Sequence, residues 1–142
     1  MKLYDYLPSG NGYKVRLLLA QLGLVFELEE LDITRGETRT PDFLARNPNG
    51  RIPVLELDAG VYLAESNAIQ WYLAEGTKFL PDERLARAQV LQWMFFEQYS
   101  HEPYIAVVRH WVAYSGTPER FVDQVAEKMK GGYAALDAME RH

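Results

Sequence analysis

Two short clusters carry the polar groups best placed to do chemistry. Ser9 and Asn11 lie in the turn-forming stretch PSGNG at 8–12, and Glu65-Ser66 opens a segment whose apolar residues recur at helical spacing. A hydroxyl and an amide between a strand and a helix can donate hydrogen bonds to an anion. A helix N-terminus adds free N–H groups and a partial positive charge, so Ser66 is suited to receive a carboxylate and Glu65 to pair with an ammonium. Each cluster also has an ordinary explanation: Ser9 and Asn11 as turn residues, Glu65 and Ser66 as a helix cap. The cysteine count is zero, which excludes disulfides, thiolate zinc sites and a protein-borne thiol nucleophile. Any thiol chemistry must use a thiol brought by a ligand. His101, His110 and His142 share no ligand spacing, and no metal site is expected.

The elements that position these residues can be read in order. Residues 2–7 (KLYDYL) read as a strand. Val15, Leu18, Leu19 and Leu22 form the apolar face of a helix that Gly23 ends. Residues 25–31 alternate apolar with acidic, as a half-exposed strand does. This is a βαβ unit with two parallel strands. After a polar stretch at 32–50, in which 41–46 can form a short helix, 52–57 and 61–64 read as a hairpin of antiparallel strands. The Glu65-Ser66 helix follows, burying Ile69, Tyr72 and Leu73.

Residues 76–82 are the expected boundary, and no strand signal lies beyond them. Residues 83–115 carry apolar groups on several helical faces, which predicts burial by more than one neighbour. Pro103 is expected to kink or end that helix. Thr117-Pro118 predicts another helix start, with Phe121, Val125, Met129 and Tyr133 on one side. The predicted organisation is α/β followed by all-α: 1–75, a linker at 76–82, and a helical part at 83–142.

Composition limits the function. The chain is 48% apolar and 25% charged, as in globular proteins. Its formal net charge of −5 disfavours a general nucleic-acid binder. No apolar run approaches the ~20 residues that span a bilayer, and no basic-then-apolar signal opens the chain, so a cytoplasmic protein with no membrane role is expected. A dinucleotide site is a weaker alternative. Gly10-x-Gly12 follows a strand and Asp32 lies about 20 residues on, but Val15 occupies the place of the third glycine.

Four motifs coincide with this order of elements and resemble one family. SGNGYKVRLLL at 9–19 resembles the active-site loop and first helix of serine-type glutathione transferases. NPNGRIPVLEL at 47–57 resembles their segment around a cis-proline, here Pro53. ESNAIQWYL at 65–73 resembles their Glu-Ser helix start, and LQWMFFEQYSHEPYIAV at 91–107 the long first helix of the second domain in bacterial members. The resemblance implies a thioredoxin-like glutathione-binding domain (βαβ-ββα) and a helical domain that relatives continue beyond the position of His142.

It also implies roles for the residues. Ser9 would donate a hydrogen bond to the glutathione thiolate, with Asn11 as a second donor. Ser66 and Glu65 would hold the γ-glutamyl carboxylate and ammonium. A cis Ile52-Pro53 bond would present the Ile52 backbone to the cysteinyl part, and Arg51, with Thr38 and Arg39 after it, is the partner for the glycyl carboxylate. Many bacterial relatives carry Cys where this chain has Gly12. The activity implied is attack of glutathione on a small hydrophobic electrophile, a detoxification chemistry, by a homodimer. The alternative is a non-catalytic binding or assembly module on the same scaffold.

Overall fold

Tyr4 and Leu3 of β1 (Lys2–Asp5) are buried because this short strand lies in the middle of a sheet. The chain leaves β1 through a turn into α1 (Gly10–Gln21), whose Val15, Leu18 and Leu19 pack inward at i, i+3 and i+4. Gly23, at φ 67°, turns the chain out of the helix. It returns as β2 (Glu27–Glu30), parallel to β1, with Lys2 opposite Glu27. Two 3-10 turns at Ile33–Arg35 and Glu37–Arg39 lead to α2 (Pro41–Arg46), started by the Thr40 hydroxyl, which accepts the Phe43 N–H. Then come β3 (Val54–Glu56), antiparallel to β1, the hairpin partner β4 (Tyr62–Ala64), and α3 (Ser66–Ala74). The sheet order β2-β1-β3-β4 is that of the thioredoxin-like fold.

The strands are shorter than their apolar runs suggest. Residues 6 and 7 go to the turn before α1, Val25 is 91% exposed, and Pro53 has no N–H to give a ladder.

This computed structural model describes residues 1–142 and divides into two compact units, Met1–Pro81 and Asp82–His142. The second unit is helical throughout: α4 (Arg84–Phe96), a π-helical segment (Glu97–Ala106), α5 (Val107–Ala113), a 3-10 turn (Pro118–Phe121) and α6 (Val122–Glu140). Glu83 caps α4 by accepting the N–H groups of Leu85 and Ala86, which holds its carboxyl below the ordinary range.

The helical unit adds detail to the expectations. Pro103 lies inside the π-helical segment that follows α4, so the chain stays helical through it with a change of winding. In α-winding its ring would collide with the carbonyl four residues back, and the wider π turn relieves that. Its own carbonyl accepts from Lys128 Nζ at 2.8 Å. Thr117 precedes the 3-10 turn but makes no capping bond; its N–H is held by Ser115 Oγ instead. The buried side of α6 is Gly132 and Ala135, while Met129 and Tyr133 are exposed.

Gly131 is set by packing. A methyl group added there would run into the Tyr104 ring. Intrinsic helix propensity favours alanine over glycine by about 1 kcal/mol, but overpacking costs about 1–3 kcal/mol. Gly131→Ala is therefore expected to lower the Tm; an unchanged or raised Tm in thermal unfolding would show that Tyr104 yields freely.

Candidate functional site

The strand register brings the candidate residues to one end of the sheet. Tyr4 pairs with Val54 and Val54 with Ala64. The residues just past those pairs, Asp5, Pro53 and Glu65, therefore lie at the same edge. Both α1 and α3 begin from that edge, so their N-termini converge there, each with the partial positive charge of a helix start.

A side-chain hydrogen bond joins the two starts: the Ser66 hydroxyl donates to Asn11 Oδ1 at 3.3 Å. Gln70 Nε2, one turn later in α3, donates to the Lys14 carbonyl at 3.4 Å. Ser66 is buried, 4% exposed. Ser9 is the N-cap of α1 in an extended conformation, and its Oγ accepts the Gly12 N–H at 3.3 Å. An oxygen that accepts in this way still has its own proton to give. Glu65 is exposed and holds φ 67° and ψ 112°, and it is the one non-glycine residue with positive φ.

The Ile52-Pro53 peptide bond is cis. The loop before it is built by Asn47, buried at 6% exposure, whose Nδ2 donates to the Arg51 carbonyl and whose Oδ1 accepts the Asn49 N–H. Arg39 Nη1 donates to the Asn49 carbonyl at 3.0 Å and lies over Gly50. The structure thus gives Arg39 a partner within the loop. Thr38 is 4% exposed, which leaves little of it to meet a ligand. Arg51 is exposed.

The Tyr4 hydroxyl, on the strand that precedes the Ser9 turn, is committed elsewhere. Its OH donates to Glu56 Oε2 at 2.8 Å, and the Arg46 guanidinium lies 4.9 Å from its ring centre. Burial and the Glu56 carboxylate push the phenol up to about 12, which makes it a poor partner for a thiolate.

Sequence reasoning missed Asp5, Arg16 and Asn47. Asp5 is fully buried in β1 and paired with Arg16 of α1, which also reaches the Leu7 carbonyl. A lone acid within KLYDYL was the available signal, since a buried charge needs a partner. Asn47 had a comparable signal in the NPNG turn.

No three His, Asp or Glu side chains gather as a metal site would require. No helix is long and apolar enough to cross a membrane. A separate open groove of about 430 Å³ lies within the helical unit, lined by Tyr104, Val108, Val112, Met129 and Leu136 among others. It contains none of the candidate residues.

Known proteins share this arrangement. Residues 1–75 match the family described as "Glutathione S-transferase, N-terminal domain". A glutathione S-transferase structure from Pseudomonas fluorescens is 55% identical with TM-score 0.95, the match covering 99% of this chain and 70% of that one. A possible glutathione S-transferase from Rhodopseudomonas palustris is 52% identical with TM-score 0.96, covering 99% of this chain and 64% of that one. Glutathione transferase URE2P6 from Phanerochaete chrysosporium, solved with oxidized glutathione, is 30% identical with TM-score 0.82, covering 99% and 66%.

Among curated relatives, Protein URE2 of Candida albicans is 32% identical over 139 residues, 87% of this chain and 40% of its own length. Its Saccharomyces cerevisiae counterpart, named a transcriptional regulator, is 32% identical over 138 residues, 87% of this chain and 39% of its own. The chain thus spans about two fifths of these curated relatives. With a matched N-terminal domain, the same sheet order and close likeness to solved bacterial members, the chain belongs to the glutathione S-transferase family.

Proposed function

We propose that this chain binds glutathione at the converging starts of α1 and α3 and activates its thiol as thiolate for attack on a small hydrophobic electrophile. The observation that carries the reading is the Ser66–Asn11 hydrogen bond, which couples two helix N-termini into one anion-receiving corner. Glutathione carries a carboxylate at each end and a thiol between them. Ser66 and the α3 N–H groups suit the γ-glutamyl carboxylate, and Glu65 suits its ammonium. The Ile52 backbone, ahead of cis-Pro53, suits the cysteinyl part as an added strand would. Arg51 is the first choice for the glycyl carboxylate, ahead of Arg39 and Thr38, since it is exposed while Thr38 is buried. Ser9 stands where the thiol would lie, with Asn11 two residues on. A cytoplasmic setting goes with this reading, because it draws on reduced glutathione.

The reading is tested by calorimetry. Folded protein is expected to bind glutathione, with the affinity lost in Ser66→Ala combined with Glu65→Ala. No heat of binding in the wild type removes the reading. The likeness to a protein named a transcriptional regulator supports a second reading, a non-catalytic binding module on the same scaffold. Glutathione binding without any conjugation of model electrophiles would favour it.

The homodimer belongs to the same proposal. Leu85, Phe95 and Tyr99 of the 84–106 helical stretch are 64%, 68% and 84% exposed, a large apolar surface to leave in water. A second copy across a two-fold axis is the proposed cover. Light scattering at micromolar concentration is expected to give twice the chain mass, and Phe95→Glu to shift it towards the monomer. A monomeric wild type would count against the dimer.

A further inference from the structure

One side chain spans the whole turn that carries Ser9. Arg16, in the second turn of α1, sends Nη1 back to Asp5 Oδ2 and Nη2 to the Leu7 carbonyl at 3.0 Å. Asp5 is completely buried, and the Arg16 side chain is 17% exposed. The other Asp5 oxygen, Oδ1, is buried without a hydrogen-bond partner and lies against Gly12, where any Cβ would run into it. The carboxylate therefore sits directly under the first turn of α1. The guanidinium closes a ring of chain from residue 5 to residue 16, with Ser9, Gly10, Asn11 and Gly12 inside it. Tyr13, its ring 6.0 Å from the guanidinium carbon, covers the clamp. Burial lowers the affinity of Arg16 for its proton while Glu30 opposes that, and the group stays charged.

We infer that Asp5 and Arg16 are positioning residues, which fix the Ser9–Gly12 turn against the end of the sheet so that the Ser9 hydroxyl meets the incoming thiol in one place. The consequence for rate rests on the glutathione-activation reading above; the clamp itself does not. Arginine is needed because its planar fork delivers two N–H groups to two acceptors at once, Asp5 below the turn and Leu7 beside it. A lysine ammonium keeps the charge but has no fixed fork. Gly12 follows from the same geometry, since the space a side chain would fill holds the carboxylate.

The test uses the full chain and two conservative variants, Arg16→Lys and Asp5→Asn, with two readouts. Amide hydrogen exchange is expected to accelerate about tenfold or more at residues 9–13 while β3 and α3 keep wild-type protection. Conjugation kcat is expected to fall on the order of tenfold to a hundredfold, as displacement of a reacting group does, with KM for glutathione little changed. Unchanged exchange at 9–13 in a folded variant overturns the inference. So does acceleration spread evenly over the unit, which marks the pair as general support for the fold. If Arg16→Lys does not fold, Asp5→Asn, which keeps the Leu7 contact, decides alone. A wild type that binds no glutathione sinks the functional reading, yet the exchange data still judge the clamp.

Discussion

Replacing Ser9 with alanine is expected to raise the pKa of bound glutathione by at least about one unit, and to slow conjugation near neutral pH about tenfold or more. A free thiol titrates near ~8.5, so at pH 7 only a few per cent is thiolate. A hydroxyl hydrogen bond and a helix N-terminus both favour the charged form and lower that pKa; removing the hydroxyl moves it back up and empties the thiolate at neutral pH. The Ser9 oxygen already accepts the Gly12 N–H, so its proton is the part left for the sulfur.

Alanine also removes a helix cap worth about 1 kcal/mol, whereas glycine at that position costs only a few tenths. Ser9→Gly should therefore show the same titration shift with less loss of stability. Glutathione affinity should survive in both, because Glu65, Ser66 and Ile52 hold the rest of the tripeptide. Asn11→Ala is expected to shift the titration less. The measurement is thiolate absorbance of the complex against pH. An unchanged titration in Ser9→Ala, beside a shifted one in Asn11→Ala, would transfer the role to Asn11.

The largest stability effect is expected at Phe43. Its side chain, 1% exposed, meets the Tyr4 ring edge-on at 6.3 Å and shares a cluster with Val54, flanked by Leu31 and Ile52. Phe43→Ala should cost about 3–5 kcal/mol, the transfer free energy of the ring plus the cavity left behind. At about 2–4 °C per kcal/mol for a chain of this size, Tm should drop on the order of 10 °C. Phe43 is also what seats α2, and through it the loop that carries Asn47 and Arg51. Glutathione affinity should weaken well below the new Tm. A loss under about 1 kcal/mol would mean that the cluster collapses into the gap and that the loop stands without it.

Much of the first unit could be read because its signals are local. Pro41 marks the start of α2, Gly23 marks the exit of α1, and the Asp58-Ala59-Gly60 turn marks a hairpin. That the Ser9–Asn11 turn and Ser66 belong together was implied by the family resemblance, and the structure brings Asn11 and Ser66 within hydrogen-bond reach because the same sheet end feeds both helices. The Asp5–Arg16 pair was hidden because its partners lie eleven residues apart on different elements, and each alone is an ordinary polar residue. What Pro103 does to the helix was hidden for a similar reason. Its effect depends on whether the surrounding turns are α or π, and no residue type announces a π turn. The apolar faces of residues 83–115 looked like core, yet Leu85 and Phe95 are exposed in the single chain. Periodicity reports that a face is apolar without saying what covers it.

Glu65 places this chain on one side of a compromise between holding together and doing work. At φ 67° and ψ 112° it occupies backbone space that glycine enters freely and that costs a side-chain-bearing residue about 1–3 kcal/mol. Nothing in the cap requires glutamate, because its side chain makes no capping bond. Selection for thermal tolerance alone would drift towards glycine at 65 and discard the carboxylate. Selection for ligand capture would restore it and accept a softer fold. Laboratory evolution of this chain under heat, with no ligand present, would therefore erode the proposed ligand corner first at the residue whose backbone resists it most.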